Sequence, residues 1–85
     1  PVEPLTGEDD YLALAAETLE SLPWEPGIWS ALTGALKAAT ARKGKDLFLP
    51  LRRALTGRDH GPEMAGLLLL IGRDRALERL RARTN

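Results

Sequence analysis

Apolar residues recur at spacings of three and four positions along most of the chain, which is the periodicity of a helix with one buried face. An acidic run at 8–10 precedes the first such series. It suits the first turn of a helix, where negative charge lies near unpaired N–H groups. A first helix is therefore predicted over about 8 to 21, with one apolar face formed by Leu12, Ala15, Ala16 and Leu19.

Two prolines separate this helix from a second periodic series. Pro23 and Pro26 lie in the segment 22–27, and a proline cannot continue a helix from the preceding turn. The second helix is predicted over about 26 to 41, weakened by Gly34. Its apolar face consists of Ile28, Leu32, Ala35, Leu36 and Ala39, with Trp29 beside them.

A third apolar series contains a proline. A break at 43–45 precedes it, and Pro50 falls inside it, although a proline fits a helix without loss only in the first turn. The helix proper is therefore predicted to start near Pro50, with residues 45–49 as a separate turn or a kinked lead-in. The series consists of Leu47, Phe48, Leu51, Ala54 and Leu55.

The segment 56–62, TGRDHGP, has the composition of a loop. Gly57 is predicted to cap the third helix, and Pro62 is predicted to take the first position of a fourth, which runs to about 71. Gly72 then interrupts the chain before a final helix that ends near 82. The apolar face of that helix is formed by Ala76, Leu77 and Leu80.

These segments predict an all-α fold, a bundle of four or five short helices around a leucine and alanine core. Valine occurs once and isoleucine twice, so the β-branched residues typical of strands are nearly absent. A length of 85 residues favours one domain, over residues 1–85, with a single core.

The formal net charge is zero, but the charges are divided unevenly along the chain. Residues 1–40 carry seven acids and one lysine, whereas residues 41–85 carry eleven lysines or arginines and five acids. The two parts therefore differ in sign, at −6 and +6. Such a division indicates either an anionic partner for one surface or two solvated surfaces joined by mutual salt bridges.

Few groups are suited to catalysis or metal binding. The chain has no cysteine and one histidine, His60, which excludes thiolate and multi-histidine metal sites. A lone histidine in a loop is usually only solvated, and the nucleophile-elbow, P-loop and dinucleotide-binding glycine patterns are absent. We therefore expect no catalytic residue, metal or cofactor in this chain.

Membrane insertion and secretion are not indicated by the sequence. No apolar run approaches the length of about 18 residues that a membrane span needs, and the opening PVEPLTGEDD lacks the features of a signal peptide. We therefore expect a cytoplasmic protein with no membrane partner. The first residue is proline rather than methionine, which indicates a piece of a longer protein or a trimmed sequence.

Basic residues of the second half are candidates for contact with phosphate. Arg52 and Arg53 are adjacent, so on a helix they diverge by about 100°, and one of them should face the core edge or another helix. The later series at 73–83 has Asp74 and Glu78 interleaved, which favours an ordinary charged helix with pairs along its length. The earlier candidates are Lys43, Lys45, Arg52, Arg53 and Arg58.

Short motifs follow one another in a distinctive order and spacing within residues 43–83. They are Pro50-Leu51-Arg52, Ala54-Leu55-Thr56-Gly57, Gly61-Pro62, Ile71-Gly72-Arg73 and Arg75-Ala76-Leu77, followed by Leu80. With these motifs the segment resembles the closing part of bacterial glutamyl-tRNA synthetases. Residues 1–40 fit the helices that precede this part in the family, with much less specific motifs.

This resemblance implies the last of two helical domains that hold the tRNA anticodon in a class I synthetase. ATP and magnesium are then implied for the nucleotide-binding domain of the parent enzyme, whose signatures are absent from these 85 residues. The implied partners are the anticodon arm of glutamate tRNA and the catalytic domains of the same parent chain, and the family suggests a monomer.

Positions for anticodon contact are also implied by the resemblance. They are Leu49, Arg52, Gly61, Pro62, Met64 and Ala65, with Lys43, Lys45 and Arg58 as candidate phosphate contacts. Arg52 offers a planar fork for a base edge or a phosphate. Gly61 lets the backbone approach a base, and the helix start after Pro62 offers free N–H groups. Met64 offers an adaptable apolar surface.

Three alternatives remain open at this point. The parent enzyme could also charge glutamine tRNA, or the chain could be a helical adaptor whose basic half meets an acidic protein surface. Arg52 could also be a buried salt-bridge partner rather than a contact to RNA. RNA affinity that depends on salt and on Arg52 distinguishes the synthetase from the adaptor.

Overall fold

The computed structural model describes residues 8–82, and within them the chain forms five α-helices and no strand. The helices are α1 (Glu8–Ser21), α2 (Ile28–Thr40), α3 (Lys45–Thr56), α4 (Met64–Ile71) and α5 (Arg73–Arg81). The predicted all-α bundle of short helices is therefore confirmed. The expectations for the first seven residues and for residues 83–85 lie outside the described part.

Most of the predicted apolar faces meet in one buried cluster. Helix α1 contributes residues to its centre and contacts α2, α3 and α5, and α4 is held between α2 and α5. Burial of these apolar faces supplies the main favourable free energy of folding. The fully buried large side chains are Leu12, Leu19, Ile28, Leu32, Leu36, Leu51, Leu55, Leu68 and Leu80.

Helix α3 corrects the prediction that the helix starts near Pro50. It begins at Lys45, and Pro50 lies inside it and is buried. Proline has no N–H to donate to the carbonyl of Asp46, four residues earlier. That carbonyl accepts instead from Nη1 of Arg42 at 2.9 Å, and the carbonyl of Leu47 accepts from the hydroxyl of Tyr11 at 2.7 Å. Contacts from outside the helix thus compensate for the proline.

The turn from α3 to α4 agrees with the prediction at one end and differs at the other. Gly57 caps α3 in the left-handed conformation, with its N–H donating to the carbonyl of Arg53 at 2.8 Å. Helix α4 begins at Met64 rather than at Pro62, because Glu63 is extended and forms the N-cap. The free N–H groups of this helix therefore start two residues later than predicted.

Phe48 also departs from the prediction. The periodicity places it in the apolar stripe of α3, but 44% of the residue is exposed, while its neighbour Leu47 is buried. Two consecutive residues of a helix point about 100° apart, so both cannot face the same core.

None of the helices within residues 8–82 is long and apolar enough to cross a membrane.

Candidate nucleic-acid interface around Arg52

The two adjacent arginines of α3 point to different surroundings, as the sequence predicts. Arg52 is half-buried, and its Nη2 donates to the carbonyl of Pro62 at 2.9 Å. Arg53 is exposed and binds Asp59 through two hydrogen bonds, Nε to Oδ1 at 2.6 Å and Nη2 to Oδ2 at 3.3 Å. Arg52 therefore contacts the loop before α4 through a carbonyl rather than a carboxylate.

The second terminal nitrogen of Arg52 is the unusual feature of this contact. Nη1 is buried and has no hydrogen-bond partner among the described residues. A buried cationic donor without a partner loses its hydration without compensation, which costs about 1–3 kcal/mol or more. Such groups in a folded protein call for an explanation, and a ligand acceptor is one.

Gly61 lies directly against this nitrogen. A Cβ atom built on Gly61 would stand 3.3 Å from Nη1 of Arg52, and the φ angle of 152° is one that residues with side chains rarely adopt. Glycine at this position therefore permits both the loop path and the close approach of the backbone to the guanidinium.

The loop between α3 and α4 is held in place by its own side chains. The Thr56 hydroxyl donates to the carbonyl of Arg52 at 2.8 Å and accepts from the N–H of Arg58 at 3.1 Å. Asp59 is bound by Arg53, and the hydrogen bond from that guanidinium holds the pKa of the Asp59 carboxyl below its usual range. The Thr56 contacts join the start of the loop to the end of α3, and the exposed Arg53–Asp59 pair adds a further contact.

Two hollows lie on either side of Arg52. The first, which we call the aromatic hollow, has a volume of about 280 Å³. Its aromatic wall consists of Trp29 from α2 and Phe48 from α3, whose ring centroids are 6.4 Å apart at an angle of 38°. The lining residues are Trp29, Phe48, Arg52, Glu63, Met64 and Ala65.

The second hollow, which we call the basic groove, has a volume of about 480 Å³. It lies between α3, the loop before α4, α4 and α5. None of the described residues that line it is acidic. The lining residues are Arg52, Leu55, Thr56, Arg58, His60, Gly61, Pro62, Leu67, Ile71 and Arg79.

The structure brings most of the predicted anticodon positions together around Arg52. Met64 and Ala65 line the aromatic hollow, whereas Gly61 and Pro62 line the basic groove together with Arg58, a predicted phosphate contact. Only 5% of Met64 is exposed, so it forms part of the wall rather than an open surface. The remaining position, Leu49, is half-buried and lines neither of these hollows.

The two predicted lysine contacts lie apart from Arg52. Lys43 and Lys45 are exposed in the turn between α2 and α3 and at the start of α3. Lys43 lines a third hollow together with Lys37 and Gly44, and Phe48 lines both this hollow and the aromatic hollow.

Three residues of this region were not predicted as contacts. Trp29 and Phe48 form the aromatic wall, and Arg79 reaches from α5, where its Nη1 donates to the carbonyl of Leu55 at 2.7 Å. For Trp29 and Phe48 the sequence offered one signal, which is that aromatic residues are rare, at 5% of the chain. Arg79 could not be found from the sequence, because its neighbours in the groove come from distant segments.

Arg73 and Arg81 of the late series make contacts within the protein, but with acceptors on α1 and just after it rather than with Asp74 or Glu78 along α5. Arg73 donates to the carbonyls of Leu19, Glu20 and Leu22 at 3.1, 2.9 and 2.8 Å, and its guanidinium lies 5.5 Å from the ring centroid of Trp24. Arg81 binds Glu20 at 2.6 Å. Together with Arg42 and Glu8, at 4.0 Å, this pair joins the basic and acidic parts of the chain.

Within residues 8–82, no three histidine, cysteine, aspartate or glutamate side chains are grouped so that they could hold a metal ion. The side chains that line the two hollows beside Arg52 offer hydrogen bonding, positive charge and apolar contact. These are the interactions that bind single-stranded RNA.

Comparison with known proteins places the chain in a family. A family model described as an anticodon binding domain matches residues 5–84, so the chain belongs to this family of anticodon-binding domains. No solved structure matches the chain with statistical significance.

Curated relatives are similar over most of the chain. It is 65% identical over 72 residues to glutamate–tRNA ligase 1 of Rhizorhabdus wittichii, covering 85% of the chain and 16% of that relative. Against glutamate–tRNA ligase 1 of Rhodospirillum rubrum the identity is 57% over 82 residues, covering 94% and 18%. The chain thus spans less than a fifth of the length of these relatives. The resemblance to bacterial glutamyl-tRNA synthetases is confirmed.

Proposed function

We propose that this chain is the anticodon-binding domain of a glutamate–tRNA ligase and recognises the anticodon of glutamate tRNA through Arg52 and the two hollows beside it. The family and the relatives support this function. The observation that carries the site is the buried Nη1 of Arg52, a cationic donor without a described partner between two hollows.

The chemistry of this region suits an unstacked base. Arginine presents a planar fork that can donate to a base edge or a phosphate, and exposed aromatic rings provide a surface on which a base stacks. Phe48 and Trp29 supply that surface next to Arg52. Because Nη1 is buried and lies close to Gly61, the proposed binding includes a shift of the loop backbone there, by which the nitrogen gains an acceptor from the base.

The rest of the proposed function concerns the longer protein. There, ATP-dependent attachment of glutamate, with magnesium, takes place in catalytic domains of the same parent chain, and this chain holds the anticodon arm. We further propose that residues 1–85 form one domain, that the parent enzyme is a monomer and that it works in the cytoplasm. An adaptor without an RNA partner is not favoured, because the family model describes anticodon binding.

The test is binding of fluorescently labelled glutamate tRNA to the 85-residue chain at low salt, followed by anisotropy. Arg52→Ala is expected to weaken binding about tenfold to a hundredfold, and Arg52→Lys should restore little, because lysine lacks the fork. Arg53→Ala is the matched control. It removes the same charge one residue along, from a side chain bound to Asp59, and should change affinity far less.

Two further RNAs complete the experiment. A glutamate tRNA with an altered anticodon should bind more weakly than the natural one, and glutamine tRNA tests whether the chain distinguishes the two acceptors. Equal weak binding of every RNA, with no effect of Arg52→Ala, would contradict anticodon recognition and return the adaptor to consideration. Circular dichroism of each variant confirms that the helices are retained.

A further inference from the structure

We propose that Arg42 is a positioning residue of the RNA site: it holds the first turn of α3, which carries Phe48, in place relative to Arg52 in the next turn. The inference rests on the proposed function, because it takes Phe48 and Arg52 as residues that contact a base. It assigns a role to a side chain that lines neither of the hollows beside Arg52.

Pro50 interrupts α3 between these two residues. Phe48 and Arg52 are four positions apart, so they lie one turn apart on the same side of the helix. Proline cannot donate to the carbonyl of Asp46, and its ring crowds that carbonyl. Helices bend most readily at such a position. The geometry between Phe48 and Arg52 therefore depends on contacts from outside the helix.

The two parts of α3 are held in different ways. The second part is fixed in the core, where Leu51 and Leu55 are buried. In the first part Leu47 is buried, but 44% of Phe48 is exposed. The N–H groups of Leu47 and Phe48 both donate to the carbonyl of Gly44, so they bind this part to its own start. Contacts with α1 and with the turn before α3 then set its direction.

Arg42 supplies the donor that the proline lacks. Its Nη1 donates at 2.9 Å to the carbonyl of Asp46, which Pro50 leaves without a helical N–H. The guanidinium lies 4.0 Å from the ring centroid of Tyr11, whose hydroxyl donates to the next carbonyl, that of Leu47, at 2.7 Å. Two stacked side chains thus hold two successive carbonyls in the first turn of α3.

Arg42 is itself held in place by its surroundings. Its N–H donates to the hydroxyl of Thr40 at 3.1 Å, and Ala41 between them takes the left-handed conformation, with a φ angle of 63°. Only 22% of the Arg42 side chain is exposed, and its Nη1 lies 4.0 Å from the Glu8 carboxylate. Arg42 therefore acts on bound RNA through α3 rather than by contact.

The first measurement is made on the free 85-residue chain and needs no RNA. In nitrogen–proton NMR correlation spectra, the indole N–H resonance of Trp29 reports the position of Phe48, because their ring centroids are 6.4 Å apart. Arg42→Met keeps a long side chain and removes its donors, so it should move this resonance in the same direction as Phe48→Ala. Added to Pro50→Ala, Arg42→Met should move it little, because alanine supplies the missing N–H.

Arg73 provides a matched control at the other end of α1. It also donates to carbonyls and lies over a ring, with its guanidinium 5.5 Å from the centroid of Trp24. Arg73→Met should therefore move the indole resonance of Trp24 and leave that of Trp29 in place. Arg42→Lys, which keeps a charge and a donor, should leave both resonances close to their wild-type positions.

The second measurement is the affinity for the labelled anticodon stem-loop of glutamate tRNA. Arg42→Met should weaken binding about threefold to tenfold, and Phe48→Ala, which removes a stacking surface, about fivefold to 150-fold. In the Phe48→Ala chain, Arg42→Met should have little further effect. The slope of log K against log salt should keep its wild-type value, because Arg42 neutralises no phosphate. Arg42→Lys should restore binding, whereas Arg52→Lys restores little.

Three results would overturn the positioning role and leave the proposed function standing. One is an unmoved Trp29 resonance in Arg42→Met, or wild-type binding by this variant while Arg52→Ala weakens binding. Another is a salt slope lower by about 0.7 with the same loss in the Pro50→Ala chain, which indicates a phosphate contact. The third is an equal loss of affinity in folded Arg73→Met, which indicates an effect of stability alone.

Failure of the proposed function gives a different result. Equal binding whatever the anticodon contradicts that function, and a role at an RNA site fails with it. The Trp29 resonance still shows in that case whether Arg42 positions Phe48. Arg42→Gln, which keeps a polar side chain at this half-buried position, keeps the test valid if Arg42→Met fails to fold.

Discussion

Two arginines of the molecule differ in how their donors are satisfied. Arg73, where α5 meets the end of α1, donates to the carbonyls of Leu19, Glu20 and Leu22. Arg52, on α3, donates to the carbonyl of Pro62 and leaves Nη1 without a described partner. Both arginines are half-buried. The difference teaches that two half-buried arginines of one small fold can differ in whether their donors are satisfied within the protein, and the proposed function rests on the one that leaves a donor unsatisfied.

The largest expected effect on stability is for Arg73, whose donors are satisfied within the protein. Arg73→Ala removes three hydrogen bonds and a contact with Trp24, so we expect a loss of about 3 kcal/mol in the free energy of unfolding. Urea denaturation followed by circular dichroism measures it. Arg75→Ala, an exposed neighbour on α5, should cost less than about 0.5 kcal/mol. Equal losses in the two variants would show that the contacts of Arg73 add nothing to the stability of the fold.

The next largest effect on stability is expected for a substitution of Gly61, the glycine beside Arg52. Gly61→Ala should cost about 2 kcal/mol, because φ of 152° is strained for alanine and its Cβ would stand 3.3 Å from Nη1. The same urea experiment applies, and affinity for RNA should also fall. Gly34→Ala is the control with the opposite sign, since Gly34 lies within α2 with open space around it and should gain up to about 1 kcal/mol. No loss of stability at Gly61 would show that the backbone there is unstrained.

A smaller effect on stability, which depends on pH, is expected for Tyr11. Its hydroxyl donates to the carbonyl of Leu47, and burial raises the pKa of Tyr11 to about 12, against an ordinary value of 10. Tyr11→Phe should therefore cost about 1 kcal/mol near neutral pH.

Above neutral pH the difference between the two proteins should change. Between about pH 10 and 12 the unfolded chain loses the tyrosine proton and the folded chain keeps it, so the wild type loses stability as pH rises through this window. The phenylalanine variant lacks this component, and the gap between the two urea midpoints should shrink. A constant gap from pH 8 to 12 would mean that Tyr11 titrates alike in both states.

The smallest effect is expected at the exposed pair beside Arg52. Asp59→Asn should leave the urea midpoint at pH 7 nearly unchanged, because exposed ion pairs contribute little. Since Arg53 lowers the pKa of Asp59, the small contribution is present above the ordinary pKa and is lost as pH falls through the lowered one. Glu17→Gln, on the exposed face of α1, is the control. A large loss for Asp59→Asn would show that the pair holds the loop.

Helical spacing was sufficient to predict which segments become helices. The faces of α1 and α2 and the cap at Gly57 follow from residue spacing and glycine chemistry, which act over a few neighbouring residues. The prediction of a helix start near Pro50 was wrong because the carbonyl left free by proline accepts from Arg42 and a neighbouring carbonyl accepts from Tyr11. Those contacts depend on packing between distant segments.

The candidate site was predictable in part. Arg52, Gly61 and Pro62 were named from motifs of one short segment, and they do lie together. That Trp29 from α2 and Arg79 from α5 lie beside these residues was not predictable, because no local pattern relates residues so far apart in the chain. The interpretation of α5 as a helix paired along its own length likewise missed the carbonyls near the ends of α1 and α3.

The amino-acid sequence by itself determined the class of fold, the order of the helices and the family, since these depend on local spacing and on motifs that can be compared directly. The tertiary structure alone decided which arginine donors are satisfied within the protein and which one has no described partner. The physical reason is that a guanidinium reaches whatever acceptor lies nearby in space. For Arg73 these acceptors lie more than fifty residues away, and for Nη1 of Arg52 the described residues provide none.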